Sequence, residues 1–241
     1  MSKIPNKIHW CWLSGSELPD YVKHGAIPSW SKMGDDFEII LWDSKKFDIN
    51  IAPKFIQDAY EDKHWAMVSD YVRAYALYNE GGWYFDSDIE VKKPIQLEWR
   101  NHNFVSTFEA ITSSELLSSC LDENGRNKTG VPIFGAGINA AMMGSVKGLQ
   151  YLKDVMDYYG TLDYSRKDYD YALFGRLIAP QIYSFVLEKY GYIYDGQSRV
   201  LDDDIFIAPE ELVTNSPYST KNEISYIEHH CSFGWEDATK R

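Results

Sequence analysis

Apolar residues near the start of the chain recur first with the period of a strand, then of a helix, then of a strand again. From Lys7 to Leu13, apolar and polar side chains alternate, which predicts an extended segment. Pro19–Met33 has the spacing of a helix interrupted at Pro28, and Phe37–Trp42 has the pattern of a second strand. A strand, a helix and a strand in this order predict a layered α/β domain.

The most informative pattern follows in the next part of the chain. Ala52–Asn79 predicts two helical pieces, and in the second piece apolar residues recur every three or four positions. Gly81-Gly82 comes next, and glycine commonly stands just past the end of a helix. Two short apolar strands, Trp83–Phe85 and Ile89–Val91, then flank the acidic sequence Asp86-Ser87-Asp88.

The second half of the chain gives weaker signals. Helices are predicted at Val146–Tyr159 and Tyr171–Tyr190, with Pro180 as a break in the second. The segment from Thr112 to Gly130 is rich in Ser, Asn and charge, and predicts a loop or lid with short helical pieces. Four strands are predicted here: Phe104–Phe108, Ile138–Met143, Asp204–Ile207 and Ile224–His230. Since no internal repeat or linker is visible, residues 1–241 are expected to form a single domain.

Charge and composition limit the kinds of partner that the protein is expected to bind. The formal net charge is −12 over 241 residues. An acidic surface repels nucleic acid and anionic lipid headgroups, so a polynucleotide partner is not expected. A nucleotide is still compatible, because a bound cation reverses the local sign of charge. Aromatic residues make up 15% of the chain, and they serve both core packing and clefts that hold flat bases or sugar faces.

Cysteine is sparse, and no leader or membrane segment is indicated. Cys11, Cys120 and Cys231 form no C-x-x-C pair, so neither a zinc knuckle nor a redox dithiol is predicted. Few cysteines in a chain of this size fit a reducing compartment. The N-terminal sequence has no long apolar run, and no window approaches the length of a membrane span. A cytoplasmic protein is expected, with possible peripheral contact at the inner face of the membrane.

Three D-x-D pairs occur, and their surroundings distinguish them. Asp168/Asp170 and Asp202/Asp204 lack an apolar approach and are typical of solvated turns. Asp86/Asp88 follows a buried strand, at the place where open α/β sheets bind ligands. Residues two apart on an extended backbone point the same way, so both carboxylates are predicted to face one Mg²⁺ or Mn²⁺. On spacing alone, a capped and solvated turn is an equally good interpretation.

Asp70 and Arg73 stand three residues apart on the predicted helix and therefore share one face. Taken alone, such a pair is most typical of a surface ion pair that contributes about a few tenths of a kcal/mol. The functional alternative is a polar clamp on the hydroxyl groups of a sugar.

The sequence SDYVRAYALYNEGGWYFDSDIEV, from Ser69 to Val91, closely resembles the donor-binding signature of glycosyltransferase family 32. The likeness combines Ser-Asp, an Arg three residues later, Gly-Gly, Tyr and D-x-D at matching spacings. It extends more loosely to IPNKIHWCWLSG and EHHCSFGW. That family includes bacterial capsule and polysaccharide transferases and fungal mannosyltransferases, and the same signature is found in the glucosyltransferase domains of large clostridial toxins. The resemblance implies an A-type glycosyltransferase fold, with a Rossmann-like mixed central sheet flanked by helices, and transfer with a retained anomeric configuration.

The resemblance also implies roles for individual residues of the donor site. Asp88 is the expected direct metal ligand, and Asp86 is expected to contact the metal, the ribose or the donor sugar. Asp70 and Arg73 are expected to hold and orient that sugar. Two further residues are expected to line the same pocket: Tyr84 and Asn139.

The ends of the chain supply the remaining residues that the resemblance implies. Trp12 resembles the tryptophan that stacks on the nucleobase, and Trp235 resembles the residue that closes over the phosphates. His229 or His230 resembles a late ligand that completes the metal or diphosphate site. Adjacent histidines point to opposite sides of a strand, so one of the two should coordinate, and His229 is favoured. Trp10 shares a strand face with Trp12 and is the better choice for the core.

Two departures from the family pattern are visible. Gly234 precedes Trp235 where relatives often have serine, which weakens any expectation of a side-chain bond to phosphate there. Ala179-Pro180 stands where many relatives have Gly-Pro. Neither change alters the D-x-D sequence.

The resemblance predicts a metal-dependent transferase that moves a hexose or N-acetylhexosamine from a nucleotide-diphosphate sugar, expected to be UDP-linked. A saccharide or lipid-linked saccharide acceptor, in capsule or other polysaccharide synthesis, is the expected partner. The nucleotide-sugar part is expected at about residues 1–95, with acceptor-side and closing elements at about 96–241. Two alternatives stay open: a phosphatase with an aspartate nucleophile in the D-x-D, and a sugar-binding module without catalysis.

Overall fold

The computed structural model of the chain describes residues 3–110, 114–133, 135–164, 178–215 and 223–231. Its helices are α1 (Ile27–Ser29), α2 (Lys54–Glu61), α3 (Trp65–Glu80), α4 (Ser114–Cys120), α5 (Gln150–Tyr159) and α6 (Ala179–Leu187). Its strands are β1 (Lys7–Cys11), β2 (Glu38–Trp42), β3 (Gly82–Phe85), β4 (Ile89–Val91), β5 (Phe104–Ala110), β6 (Ala136–Ile138), β7 (Met142–Ser145), β8 (Arg199–Leu201), β9 (Ile205–Ala208), β10 (Val213–Asn215) and β11 (Ile227–His229).

A mixed sheet forms the centre of the molecule. Its strand order is β2-β1-β3-β7-β5-β9-β8, and β6 pairs with β5 beside this path. Strands β2, β1 and β3 run parallel, as do β5 and β9, whereas β7 is antiparallel to both β3 and β5. The mixed α/β architecture predicted from the sequence is confirmed. The carboxyl ends of β1 and β3 meet at one edge, and the acidic sequence follows β3 there.

A second, small sheet has the order β10-β11-β4. Strand β11 is antiparallel to β4, with His229 opposite Ile89 and Glu228 opposite Glu90. The backbone N–H of His230 continues this pairing by donating to the carbonyl of Asp88 at 3.2 Å. Because β4 starts directly after the acidic turn, this pairing brings the end of β11 to the same turn.

Two apolar layers cover the faces of the main sheet. Alternate residues of β3 separate into them: Trp83 and Phe85 face the layer around Trp30, and Tyr84 faces the layer built from α2, α3, α5 and α6. Trp10 is 6% exposed and stacks edge-on against Trp30, as predicted for a core residue. Since Tyr84 faces α3, the residue two positions later, Asp86, is directed to the same side.

Two glycines make the tight connection between α3 and β3 possible. Gly81 and Gly82 have φ values of +66° and +112°, which non-glycine residues rarely adopt. A Cβ on Gly82 would lie 2.8 Å from the carbonyl oxygen of Lys7. The prediction that the Gly-Gly pair ends the helix is confirmed, and the short connection fixes how far α3 stands from the D-x-D turn.

Most predicted elements are present, but several predictions were wrong in detail. Ile138–Met143 is not one strand: β6 and β7 both run antiparallel to β5, and the chain between them is interrupted at Asn139, whose Oδ1 accepts from the Met142 N–H at 3.1 Å. Pro180 lies in the first turn of α6, where its missing N–H costs no hydrogen bond, so it begins the helix instead of breaking it. Residues 171–177 of that predicted helix lie outside the described residues. Strands β8 and β10 were not predicted.

Candidate metal and donor site

The D-x-D sequence forms a turn between the two sheets. The N–H of Asp86 donates to the carbonyl of Ala141 at 2.8 Å, and the N–H of Ile89 donates to the carbonyl of Asp86 at 3.0 Å. The backbone here is therefore a four-residue turn, and the extended geometry assumed from the sequence was wrong. The turn, rather than strand alternation, brings the two carboxylates close together.

Helix α3 brings a buried arginine against the turn. Arg73 is 4% exposed, and its Nη2 lies 2.8 Å from Asp70 Oδ1 and 3.2 Å from Asp86 Oδ1. Its Nη1 donates to the carbonyl of Ala140 at 2.6 Å, and Nη2 also reaches Ser69 Oγ at 3.3 Å. Asp70 and Arg73 are thus no surface ion pair. They form a buried bridge that joins α3 to the D-x-D turn and to the β6–β7 turn.

Tyr84 supports this arrangement from the strand side. Its ring is 1% exposed, and the Arg73 guanidinium lies 4.7 Å from its centroid. Its hydroxyl donates to Asp86 Oδ1 at 3.0 Å. Asp86 Oδ1 therefore accepts from both neighbours, which fixes the rotamer of this carboxylate.

Strand β11 supplies a histidine to the same place. His229 Nε2 lies 3.4 Å from Asp88 Oδ1. One ligand atom from each of Asp86, Asp88 and His229 lies within 4.8 Å of the other two, which is a spacing that can hold a metal ion. His230 points away from this cluster, and its Nε2 lies 3.0 Å from Glu90 Oε2.

The charges in the cluster are strongly coupled. Burial raises the pKa of the Asp86 carboxyl above its ordinary value, and the charge of Asp88 raises it further, although Arg73 acts in the opposite direction. Burial acts to lower the pKa of His229, but the neighbouring carboxylate of Asp88 raises it well above its ordinary value. Two carboxylates that repel each other in a partly buried turn create a negative potential that favours a cation.

Asp70 also connects the site to α6. Its Oδ2 accepts from the backbone N–H of Ala179, at the N-terminus of the helix, at 3.2 Å, and its carbonyl accepts from the hydroxyl of Tyr183 at 2.8 Å. A carboxylate is stabilised by the exposed N–H groups and the positive dipole at a helix start. Both carboxylate oxygens of Asp70 are thus held by protein groups, which makes the Asp70–Arg73 pair rigid.

The other predicted residues lie at varied distances from the cluster. Asn139 is buried in the β6–β7 turn, where its carbonyl accepts from Ser106 Oγ at 2.6 Å. Its neighbour Ala140 is the residue whose carbonyl receives Arg73. Trp12 follows β1, is half-buried, and donates from Nε1 to the carbonyl of Ser16 at 2.8 Å. Trp235, together with Gly234 before it, lies outside the described residues.

Two cysteines near the site were not singled out by the sequence. Cys11 packs beside the hydroxyl of Tyr84, and burial raises the pKa of its thiol to about 12. Cys231 Sγ lies 3.5 Å from His229 Nδ1. The contact of Cys11 with Tyr84 depends on the pairing of β1 with β3, and the contact of Cys231 with His229 depends on the left-handed backbone at Cys231, so the sequence carries no signal of either.

Comparison with known proteins identifies this arrangement. Residues 19–106 match the family described as "Glycosyltransferase sugar-binding region containing DXD motif". Residues 19–106 therefore carry a glycosyltransferase sugar-binding region with a D-x-D motif. The resemblance seen from Ser69 to Val91 is thereby confirmed. None of the curated proteins compared with this glycosyltransferase matches it.

One of the similar solved structures, the PaToxG glycosyltransferase, supports the fold. The PaToxG glycosyltransferase superposes with a TM-score of 0.55 at 14% identity, over 77% of this chain and 69% of that one. A glycosyltransferase involved in the glycosylation of the major capsid of PBCV-1 covers 98% of both chains, with a TM-score of 0.49 at 11% identity. The galactosyltransferase LgtC covers 97% of this chain and 94% of its own, with a TM-score of 0.43 at 13% identity. The predicted A-type glycosyltransferase fold is confirmed.

Among the described residues, no helix is both long enough and apolar enough to cross a membrane.

Proposed function

We propose that this glycosyltransferase moves a hexose or N-acetylhexosamine from a UDP-sugar to a saccharide acceptor, with a divalent cation held by Asp86, Asp88 and His229. The observation that carries the proposal is the convergence of these three side chains within 4.8 Å at the carboxyl end of β3. The choice of a UDP carrier and of a retained configuration follows from the resemblance of Ser69–Val91 to family 32. A saccharide or lipid-linked saccharide acceptor in capsule or other polysaccharide synthesis is part of the same proposal.

The chemistry of the donor set fits Mn²⁺ or Mg²⁺. Carboxylate oxygens are the preferred ligands of hard cations, and one imidazole nitrogen is compatible with Mn²⁺. Three protein ligands converge among the described residues, so further positions are available to phosphate oxygens of a substrate. Bound there, the cation supplies Lewis-acid stabilisation of the negative charge on a departing diphosphate.

The residues of the chain each have a separate task in this proposal. Tyr84 and Arg73 hold Asp86 in one rotamer, and the pairing of β4 with β11 holds His229 against Asp88. Because these groups are fixed before substrate arrives, little reorganisation is needed when charge develops on the diphosphate. Trp12, at the carboxyl end of β1, is assigned to stack on the nucleobase.

The proposed sugar subsite lies beside Asp70 and Arg73. Both side chains are almost fully buried and are held in place by protein groups. Any further hydrogen bond that they make to a ligand therefore has a fixed direction. Such rigid polar groups can orient a pyranose so that the acceptor hydroxyl meets the anomeric carbon. Asn139 and Tyr84 belong to the same subsite in this proposal.

The acceptor is assigned to the second half of the chain. Asn127, in the segment predicted as a lid, donates from Nδ2 to Glu188 Oε1 at 2.9 Å, just past the end of α6. The start of the same helix binds Asp70. Helix α6 therefore links the lid segment to the donor subsite, which supports an acceptor-side role for residues from about 96 onward.

The two other function classes have less support. A phosphatase of the aspartate type needs a free nucleophilic carboxylate, whereas Asp86 Oδ1 is engaged by Arg73 and Tyr84. A module that had lost catalysis would not be expected to keep both the contacts of Arg73 with Asp70 and Asp86 and the cluster of Asp86 and Asp88 with a histidine.

The proposal is tested by donor binding and turnover. UDP-galactose, UDP-glucose and the two UDP-N-acetylhexosamines are added to the chain with Mn²⁺ or with EDTA, and thermal stability and UDP release are measured. One donor is expected to raise Tm and to release UDP only with Mn²⁺, because a ligand that binds the folded state stabilises it. Asp202→Ala, in an exposed D-x-D sequence away from the site, serves as the matched control. Equal turnover in EDTA, or release of inorganic phosphate from simple phosphomonoesters, would count against the proposal.

A further inference from the structure

The two ring nitrogens of His229 face different partners. Nε2 lies 3.4 Å from Asp88 Oδ1, and Nδ1 lies 3.5 Å from Cys231 Sγ. The two nitrogens are on different edges of an imidazole ring, so the thiol lies behind the ring as seen from the acidic turn. Cys231 is therefore placed to act on His229 and is poorly placed to bind the same cation itself.

The hydrogen bonds around the thiol define the direction of each proton. Cys231 Sγ lies 3.7 Å from the carbonyl oxygen of His229, which can only accept, so the S–H donates there. The sulfur lone pairs are then free to accept from His229 Nδ1–H. With a proton fixed on Nδ1, Nε2 is the ring nitrogen that faces Asp88, and a cation bound there would take the place of its proton.

The backbone at Cys231 adopts a conformation that non-glycine residues seldom adopt. Its φ is +48°, in the left-handed region. In this conformation the side chain of residue 231 reaches the ring of residue 229. A residue in such a conformation is held there by its surroundings, and among the described residues the contacts of Cys231 with His229 do so.

We propose that Cys231 is a positioning residue for His229, which fixes the Nδ1–H tautomer and the ring orientation needed for Nε2 to bind the cation. The inference rests on the proposed function, and deepens it by adding a residue behind the metal ligand. Partners of this kind orient a metal-binding histidine and raise its basicity, and their loss typically weakens metal affinity about 10–100-fold.

The test compares three variants of the full chain. Cys231→Ala removes the sulfur and keeps the Cβ, whereas Cys231→Gly removes both and relaxes the left-handed backbone. Cys120→Ala, at the other half-buried cysteine, is the control. Mn²⁺ affinity is measured by electron paramagnetic resonance with UDP present, and the ring nitrogens of His229 are followed by two-bond ¹H–¹⁵N NMR without metal.

The expected result is a fall in Mn²⁺ affinity of about tenfold in both Cys231 variants and no change in Cys120→Ala. The metal-free spectra are expected to show a change in the Nδ1 signal of His229 in Cys231→Ala. In a His229→Ala background, Cys231→Ala is expected to have no further effect on Mn²⁺ affinity, because the thiol acts through the imidazole.

Unchanged His229 spectra together with unchanged Mn²⁺ affinity in Cys231→Ala would overturn the inference. A loss in Cys231→Ala that Cys231→Gly restores would also overturn it, because the backbone and not the sulfur would then be responsible. Failure of the proposed function looks different: the unmodified chain would bind neither Mn²⁺ nor UDP, whereas the NMR comparison would still report on the thiol–imidazole contact.

Discussion

The Nη2 of Arg73 lies 3.2 Å from Asp86 Oδ1, which ties the middle of α3 to the turn after β3. The same nitrogen lies 2.8 Å from Asp70 Oδ1. Burial acts to lower the pKa of Arg73, but the carboxylates of Asp86 and Asp70 raise it well above its ordinary value, so the guanidinium stays charged. The two acids share one cationic partner, and the planar guanidinium also binds a backbone carbonyl that a lysine could not reach with the same geometry.

Arg73→Lys is therefore expected to lower both stability and activity. The ammonium keeps the charge but cannot contact Asp70, Asp86 and the Ala140 carbonyl together, which leaves buried acceptors unpaired at a cost of about 1–3 kcal/mol. Urea unfolding and UDP release from the preferred donor measure the two effects. A variant with the stability and the kcat/KM of the unmodified chain would contradict the bridging role of this arginine.

Asp88→Asn is expected to abolish the response to Mn²⁺ while preserving the fold. The amide is isosteric with the carboxylate but carries no charge, so the cation loses a ligand and the diphosphate loses its electrostatic stabilisation. We expect kcat/KM to fall by on the order of a hundredfold or more, and the Mn²⁺-dependent rise in Tm to disappear. An unaltered Mn²⁺ response at a normal Tm would remove Asp88 from the metal site.

Two tryptophans of the same segment offer a matched pair. Trp10 is in the core against Trp30, whereas Trp12 is half-buried at the end of β1. Trp10→Ala is expected to lower the free energy of unfolding by about 3–5 kcal/mol. Trp12→Ala is expected to change stability much less and to raise the donor KM, because a stacking surface for the base is lost. A donor KM that does not move in Trp12→Ala would exclude Trp12 from the donor site.

Gly137 controls where α6 can sit. A Cβ at this position would lie 2.1 Å from the carbonyl oxygen of Pro180 and 2.9 Å from Ser184 Oγ. Gly137→Ala is expected to push α6 outward, to weaken the bond from Ala179 N–H to Asp70, and to lower stability by about 1–3 kcal/mol. The KM for the donor is also expected to rise, because Asp70 is then held less firmly. Gly25→Ala is the control, since no atom lies within 4 Å of a Cβ there; equal behaviour of the two variants would refute the argument.

His9 predicts a pH dependence of stability. Burial lowers the pKa of this imidazole below its ordinary value. The ring nitrogen Nδ1 lies 3.0 Å from Trp42 Nε1–H and accepts from it, and Nε2 is 2.8 Å from the Gly81 carbonyl and donates to it. The folded state therefore keeps the ring neutral while the unfolded state takes up a proton, so stability is expected to fall as the pH drops below about 6.5.

His9→Gln is the control for this dependence. A glutamine can accept from Trp42 and donate to the Gly81 carbonyl without titrating in this range. Urea unfolding of both proteins at several pH values between about 7.5 and 5.5 gives the comparison. The unmodified chain should lose more stability than the variant as the pH falls. Parallel curves for the two proteins would show that His9 does not titrate on unfolding.

The part of the site that is contiguous in sequence could be predicted, and the part that depends on distant pairing could not. Helix α3, the Gly-Gly connection, β3 and the D-x-D turn follow one another, so periodicity and spacing place Asp70, Arg73 and Asp86 on neighbouring elements. The arrival of β11 beside β4 has no local signal, because a three-residue strand carries too little pattern to reveal its partner. His229 could be proposed only from the resemblance, and the contact of Cys231 with it needed coordinates.

Errors in the fold predictions have the same origin. Asn139 interrupts the strand between β6 and β7 through its own side-chain hydrogen bond, in the middle of an apolar run that has the pattern of one strand. Pro180 looks like a helix break by sequence position, but the start of α6 is fixed by contact with Asp70. In both places, a single polar contact decides the path of the backbone. The spacing of apolar residues along the chain does not reveal such a contact.

The three proposed cation ligands belong to different sheets: Asp86 follows a strand of the eight-stranded sheet, and His229 ends a strand of the three-stranded one. An ion shared by them would act as a removable cross-link between the body of the molecule and its late strand. Resistance of residues 223–231 to limited proteolysis should then follow the free concentration of the ion. Occupancy of the metal site could then be measured by the protection of this segment from protease, as well as by the rate of sugar transfer.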